Sequence, residues 1–371
     1  MVQRDISIDI ARVTGISLVV LGHAGVIWSF EKAIYSMHMP LFFVIAGILY
    51  HDMPSRTVIA VKIRTLLFPY VLTAVLSFIL FSKMSAMHLS SWSYFTLGLI
   101  TGCSKGLSYN SPLWFLPCLW TIFVVVAFVS NVLSNFHIRC LFLFMGGICF
   151  THYMQPLNLL LPMRISTAFS CFPFFVVGLY IGRLNQGKSG TNIVTHSFFQ
   201  SWSMSESLSN LIVSFLLFLK SHFNLFVALV CALLWAISSV LDHNSYYVIA
   251  HDKYNPLFCF YTRGISGAMC VIFLSRAIAQ YLLRIKTGSK QLLIYGIQML
   301  SSWSFGIYLF HKPIMIHMRE MAPSFFSKSG PWYDWFLLFL LGIALPIIAF
   351  WILNRITPRA TAWILGKRLP G

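Results

Sequence analysis

Arg12 and His23 stand in the first apolar run of the chain, IDIARVTGISLVVLGHAGVIW. On a straight helix the 11 steps between them turn through about 1100°, within roughly 20° of whole turns, so both side chains fall on one stripe. They are then about 16 Å apart along the axis, which puts the imidazole near mid-depth of that run. An ionisable side chain at membrane depth is costly and therefore faces a protein interior or a wet cavity. An imidazole titrating near neutrality can take a proton from an attacking hydroxyl, or carry a group transiently as a nucleophile. A guanidinium offers a fork that matches phosphate or pyrophosphate. Asp9, three residues before Arg12, can pair with it on the same helix face and orient it. The plainer alternatives are a histidine hydrogen-bonded across helices and a helix-end arginine among lipid headgroups; the alignment favours a site.

Other residues of the right types lie further on. His38 precedes Met39-Pro40, and a proline there locally breaks the helix and frees backbone groups. Ser304, Tyr308 and His311 are spaced at four and three residues, so they form one polar stripe on a helix. Lys62 and Arg64, with Arg56 nearby, precede the third apolar run and serve either as cytoplasmic anchors or as phosphate contacts. Trp114, just after Pro112, offers a platform for stacking a sugar, against the ordinary alternative of an interfacial tryptophan belt.

Composition sets the class. Of the 371 residues 58% are hydrophobic and 9% charged, against about 25% charged in a soluble domain. The chain is read as an all-α polytopic membrane bundle, one integral-membrane domain over residues 1–371 with no separate soluble domain. Lys plus Arg exceed Asp plus Glu by 17. In a soluble protein that excess suggests nucleic acid; here cytoplasmic loops meeting anionic lipid account for it, and no nucleic-acid partner is expected. The eight cysteines show no Cys-x-x-Cys pair, so neither a metal site nor a disulfide is expected. No GxxxxGK[ST] loop, GxSxG elbow or HExxH pair occurs, and nine acidic residues argue against two-carboxylate chemistry.

About ten transmembrane helices must position these residues. Their predicted extents are Ile10–Phe30, Ile34–Tyr50, Leu66–Phe81, Leu113–Leu133, Cys140–Tyr153, Ala168–Leu184, Leu225–Leu241, Leu257–Ile278, Ser302–His317 and Trp335–Leu353. The first is read as an uncleaved span rather than a signal peptide, because Asp9 and Arg12 interrupt it. The lysine and arginine bias puts both termini in the cytoplasm. Ser82–Asn110 reads as a partly re-entrant outer loop and Asn185–Asn210 as a cytoplasmic loop. Leu211–Phe223, interrupted by Lys220 and His222, reads as an interfacial helix rather than a further span. Gly178 and Gly182 make a face for close helix packing.

Arg12-x10-His23, followed by HMPLFFVIAG, KIRTLLFPY, PLWFLPCLW, FFVVGLYIG and SFGIYLFHKPI in that order, resembles the membrane acyltransferase-3 family. These are bacterial inner-membrane, multi-pass enzymes that O-acylate sugars of surface glycans such as O-antigen. One departure stands out: Val61, with Lys62 beside it, falls where the family has the first of two arginines. The resemblance implies transfer of an acyl group, most simply acetyl, from cytoplasmic acyl-CoA to a hydroxyl of a cell-surface glycan or lipid-linked sugar. It implies His23 as the general base or transient acyl carrier, with Asp9 beside Arg12 in support. It implies that Arg12, Lys62 and Arg64 hold the coenzyme A headgroup. His38, Trp114, Ser304, Tyr308 and His311 then face the acceptor. Acetyl-CoA is a co-substrate, no cofactor or metal is held permanently, and membrane lipids surround the bundle; nothing in the resemblance sets an oligomeric state. The residues alone show a membrane bundle with an aligned cation and imidazole. A transporter or flippase for a lipid-linked glycan, or an O-antigen polymerase, remains an alternative, though no inverted repeat and no large outer loop speaks for either.

Overall fold

The computed structural model describes residues 4–81, 92–103, 106–157, 159–187, 206–242, 249, 254, 256–285, 289–323, 325–326 and 332–366. Among these every regular element is helical. Helix α1 spans Ile6–Ala24, α2 Trp28–Ile48 and α3 Ser55–Lys62. A π-helical turn, Ile63–Leu67, joins α3 to α4, Phe68–Phe81. A short α5, Trp92–Thr101, and a 3₁₀ segment, Ser108–Trp114, lead into α6, Phe115–Val132. Then come α7, Phe136–Met154; α8, Ile165–Gly187; α9, Glu206–Leu241; α10, Leu257–Arg284; α11, Ser289–Met321; α12, Trp332–Ile356; and α13, Pro358–Ile364.

Nine stretches of the described residues are long and apolar enough to cross a bilayer. The tenth predicted span, α2, is 21 residues long and carries Glu31, Lys32 and His38, which lower its apolarity. It nevertheless packs against α1, α8 and α10 at the centre of the bundle. The chain is a multi-pass helical membrane protein. Counting α2, the crossings bring α13 back to the end where α1 starts: Arg64, two residues past Lys62, lies 4.8 Å from the Trp363 ring of α13.

Three differences from the expected boundaries bear on the site. Asp5 caps the start of α1, its side chain accepting from the Ser7 backbone, and Gly25 ends the helix with φ 90°. The first span therefore closes at Ala24, not Phe30; the apolar Val26, Ile27 and Trp28 hid the break, which only a glycine in the left-handed region reveals. Leu211–Phe223 is no separate interfacial element but part of the 36-residue α9, about 54 Å long and so well beyond the roughly 30 Å of a hydrocarbon core. The third span starts at Ser55 and absorbs Lys62 and Arg64 into its first half. Of the predicted loops, 82–91, 104–105 and 188–205 lie outside the described residues. The 3₁₀ segment is buried in the bundle through Tyr109, Asn110, Pro112, Leu113 and Trp114 and forms the first turns of the Ser108–Val132 span.

The core between α2 and α8 is set by glycine. A Cβ on Gly178 would run into the Val44 carbonyl oxygen and come within 2.9 Å of Gly47 Cα; one on Gly182 would lie 2.6 Å from the Ile48 oxygen. The two backbones touch, as small residues at i and i+4 permit.

Candidate active site

A cavity of about 610 Å³ opens between α1, α2, the α3–α4 junction, α6 and α11. One end is polar, with Arg4, Arg12, Lys62, Ser301, Ser302 and Ser304; the walls are apolar, among them Ile16, Met39, Phe42, Leu66 and Phe123. The lining reaches Val19 and Tyr308. Ile16 and Val19 follow Arg12 at four and seven residues, so the stripe inferred from sequence is one wall of the cavity. Arg12 has no hydrogen-bond partner among the described residues. Lys62 sits 3.7 Å from the Phe123 ring centre, its charge at the cavity wall. The π-helical turn widens the backbone directly after it, a distortion that recurs at functional sites.

Asp9 organises the polar end without pairing directly with Arg12. It is 2% exposed and accepts from Arg4 Nε at 2.6 Å, from Arg4 Nη2 at 3.0 Å and from Ser301 Oγ at 2.6 Å. The expected Asp9–Arg12 ion pair does not form; Asp9 pairs with Arg4 instead. Arg4 precedes the helix and folds back to give both carboxylate oxygens a donor, which one i, i+3 neighbour on the same helix does not match. The hydrogen bonds to Asp9 raise the proton affinity of Arg4 above the ordinary arginine value.

One helical turn beyond Val19 lies a histidine cluster. His23 stacks on His311 with ring centres 5.3 Å apart and 29° between planes. Its Nδ1 is 3.2 Å from the Tyr35 hydroxyl, and the Tyr35 ring meets His38 edge-on at 5.0 Å. Nδ1 of His38 faces the Ile34 carbonyl at 2.7 Å; Nδ1 of His311 faces those of Ile307 and Tyr308 at 3.1 and 2.9 Å. A ring nitrogen facing a carbonyl carries the proton, and in the neutral ring this leaves Nε2 of each with a lone pair. On His311 that Nε2 is buried and has no partner. His23 is thus in the last turn of α1 rather than at mid-helix. It stays inside the bundle because α11 runs about three turns past His311.

The structure places the remaining predicted residues unevenly. Ser304 lines the cavity while donating to the Ser301 carbonyl. Tyr308 lines its deep part and donates to the Pro112 carbonyl. Arg64 does not line the cavity: residues two apart on a helix point to opposite sides, and Arg64 turns away from Lys62 onto Trp363. Trp114 is no open platform. It is 4% exposed, and the Arg164 guanidinium lies 5.7 Å from its ring centre.

Besides Arg4, four contributors carry no role in the sequence reading. Tyr35 stands three before His38, a spacing that marks a shared face. Ser301 and Ser302 belong to the small-hydroxyl run SSWS. Arg319 donates to the Ala24 carbonyl at 2.7 Å and so caps α1 beside His23; nothing local in the sequence announces that contact. Among the described residues no group of three or more His, Cys, Asp and Glu side chains could hold a metal ion.

The Acyl_transf_3 family model, described as an acyltransferase domain, matches residues 5–354. No curated protein and no solved structure matches the chain.

Proposed function

The chain belongs to the acyltransferase-3 family, and we propose that it moves an acyl group, acetyl in the simplest case, from cytoplasmic acyl-CoA to a hydroxyl of a cell-surface glycan or lipid-linked sugar. The membrane is the bacterial inner membrane, with both termini cytoplasmic. One observation carries the reading: a cavity with three cations and three serines at one end and apolar walls leads toward a stacked histidine pair one turn past its deep wall. Arg12, Arg4 and Lys62 suit the phosphates of coenzyme A. The apolar walls suit its thin pantetheine arm, which would bring the thioester toward His23. His23 accepts the acceptor's hydroxyl proton as the oxygen attacks the thioester carbonyl. A carbon–oxygen bond forms, the carbon–sulfur bond breaks, and the imidazolium returns the proton to the departing thiolate. In the covalent variant His23 itself takes the acyl group first. Tyr35, hydrogen-bonded to His23 Nδ1, fixes the ring's orientation.

The test separates binding from turnover. His23→Ala should bind acetyl-CoA like the parent and lose about 10²–10⁴-fold in glycan acylation, the usual contribution of a general base. Arg12→Ala should weaken acetyl-CoA binding, and Arg12→Lys should restore it only in part, because an ammonium lacks the fork. Both are compared per folded molecule in the membrane. A His23→Ala protein that acylates at near the parental rate would sink the mechanism.

A further inference from the structure

On its cavity side the histidine cluster is bounded by a layer of apolar and aromatic side chains. Val19 comes four residues before His23 on α1, and Tyr308 three before His311 on α11. On α2, which runs the opposite way, Phe42 comes four residues after His38. Each lies one turn from its histidine on the same helix face. All three line the cavity, with Phe115 of α6 beside them. The rings meet edge to face across the gap, Phe42 and Phe115 at 6.1 Å and 62°, Phe115 and Tyr308 at 5.9 Å and 67°, an arrangement that aromatic pairs prefer. A thioester carried from the Arg12 end to His23 has to cross this layer. Phe42 is the member best placed to yield. Val19 is buried and short, Tyr308 is tied to the Pro112 carbonyl, and Phe115 is also held by the Phe43 ring at 5.0 Å. Phe42 is only partly buried, between the fully buried Leu41 and Phe43, and its ring rests on a glycine. A Cβ on Gly15 would come within 2.9 Å of Phe42 Cζ and 3.1 Å of Cε2. Gly15 stands one turn past Arg12, so its missing side chain makes the recess that holds this ring beside the entry stripe.

We propose that Phe42, seated on Gly15, determines which acyl groups reach His23: small unbranched ones pass beside the ring, and branched ones are turned back. The inference rests on the acyltransferase reading and adds the donor's class, an acyl-CoA with a short, unbranched acyl group. Phe42 selects by bulk and takes no part in making or breaking bonds, so the transfer step itself is unchanged.

The experiment uses membranes of the native host in which the full chain or a variant replaces the resident copy. They receive an equimolar mixture of acetyl-CoA, propionyl-CoA and isobutyryl-CoA, and mass spectrometry counts the acyl groups on the surface glycan. Under competition the product ratio equals the ratio of kcat/KM values, and it does not depend on how much protein has folded. The parent should transfer acetyl in large excess over isobutyryl. Phe42→Ala should raise the isobutyryl share about tenfold or more, the scale on which an apolar pocket senses a methylene or two. Gly15→Ala pushes the ring toward the cavity and should lower the propionyl share; adding Phe42→Leu to it should restore that share. Arg12→Ala should slow all three donors and leave their ratio alone. If Phe42→Ala fails to fold, the milder Phe42→Leu decides. Shares that stay within about twofold of the parent's in the Phe42 variants, or a parent that takes isobutyryl as readily as acetyl, overturn the proposal. Failure of the acyltransferase reading looks different: the parent would transfer none of the three acyl groups.

Discussion

Replacing Asp9 with Asn tests whether the polar end of the cavity is a binding device or part of the chemistry. The substitution keeps the shape and removes the charge that three donors share. Breaking a fully buried ion pair costs about 3–5 kcal/mol, but the Arg4 side chain is 48% exposed and can turn to water. Its share shrinks toward that of a surface pair, about 1 kcal/mol or less. The buried Ser301 bond to a carboxylate adds about 1.5 kcal/mol. The sum, about 2 kcal/mol, is a roughly 30-fold shift in the folded-to-unfolded ratio. It should appear as a lower midpoint in denaturant titration of the purified protein. Acetyl-CoA affinity should fall several-fold as Arg4 leaves the cavity, whereas turnover at saturating donor should stay within about twofold. A variant that binds acetyl-CoA normally but turns over a hundredfold more slowly would refute this reasoning and make Asp9 a proton-transfer group.

Two further substitutions address the frame and the ring. Gly178→Leu should abolish close contact of α2 and α8, since its Cβ meets the Val44 carbonyl before the rest of the side chain is considered; the measurement is the amount of folded protein in the membrane, expected to drop to a small fraction. Tyr35→Phe removes the hydroxyl beside His23 Nδ1 while keeping the ring packing with His38. Acylation should slow by about three- to tenfold, the worth of one hydrogen bond of about 1 kcal/mol, with acetyl-CoA affinity unchanged. Parental rates in Tyr35→Phe would remove Tyr35 from the positioning of His23.

How much of this was legible in the sequence depends on distance along the chain. The Arg12 stripe could be read because helical geometry fixes it within one element, and Ile16 and Val19 duly line the cavity between its ends. Gly178 and Gly182 were readable for the same reason. Where the reading missed, a partner from elsewhere in the chain was competing. Arg4 displaced Arg12 as the hydrogen-bond partner of Asp9, since a residue ahead of a helix can reach where a helical neighbour does not. Arg64 lost the cavity to Lys62, which a count of two residues on a helical wheel would have foretold. Trp114 was judged by type alone, and only the fold brings Arg164 over its ring. His23 was placed too near mid-helix because Gly25 breaks a run whose hydrophobicity continues unbroken. The join of α1 to α11 through Arg319 spans nearly 300 residues of sequence and left no local trace.

The single turn of helix that separates the cavity from the histidine pair bears on the cell's energy supply. An enzyme drawing its two reagents from opposite faces of an energised membrane risks becoming a leak for protons. Val19 and Tyr308 line the cavity toward His23, and Tyr308 is tied to the Pro112 carbonyl of the buried 3₁₀ segment. In the proposed reaction, a wall that holds there would interrupt a water path from Arg12 to His23. A slim thioester arm can pass where a hydrated ion cannot, so an acyl group could cross while the proton gradient stays intact.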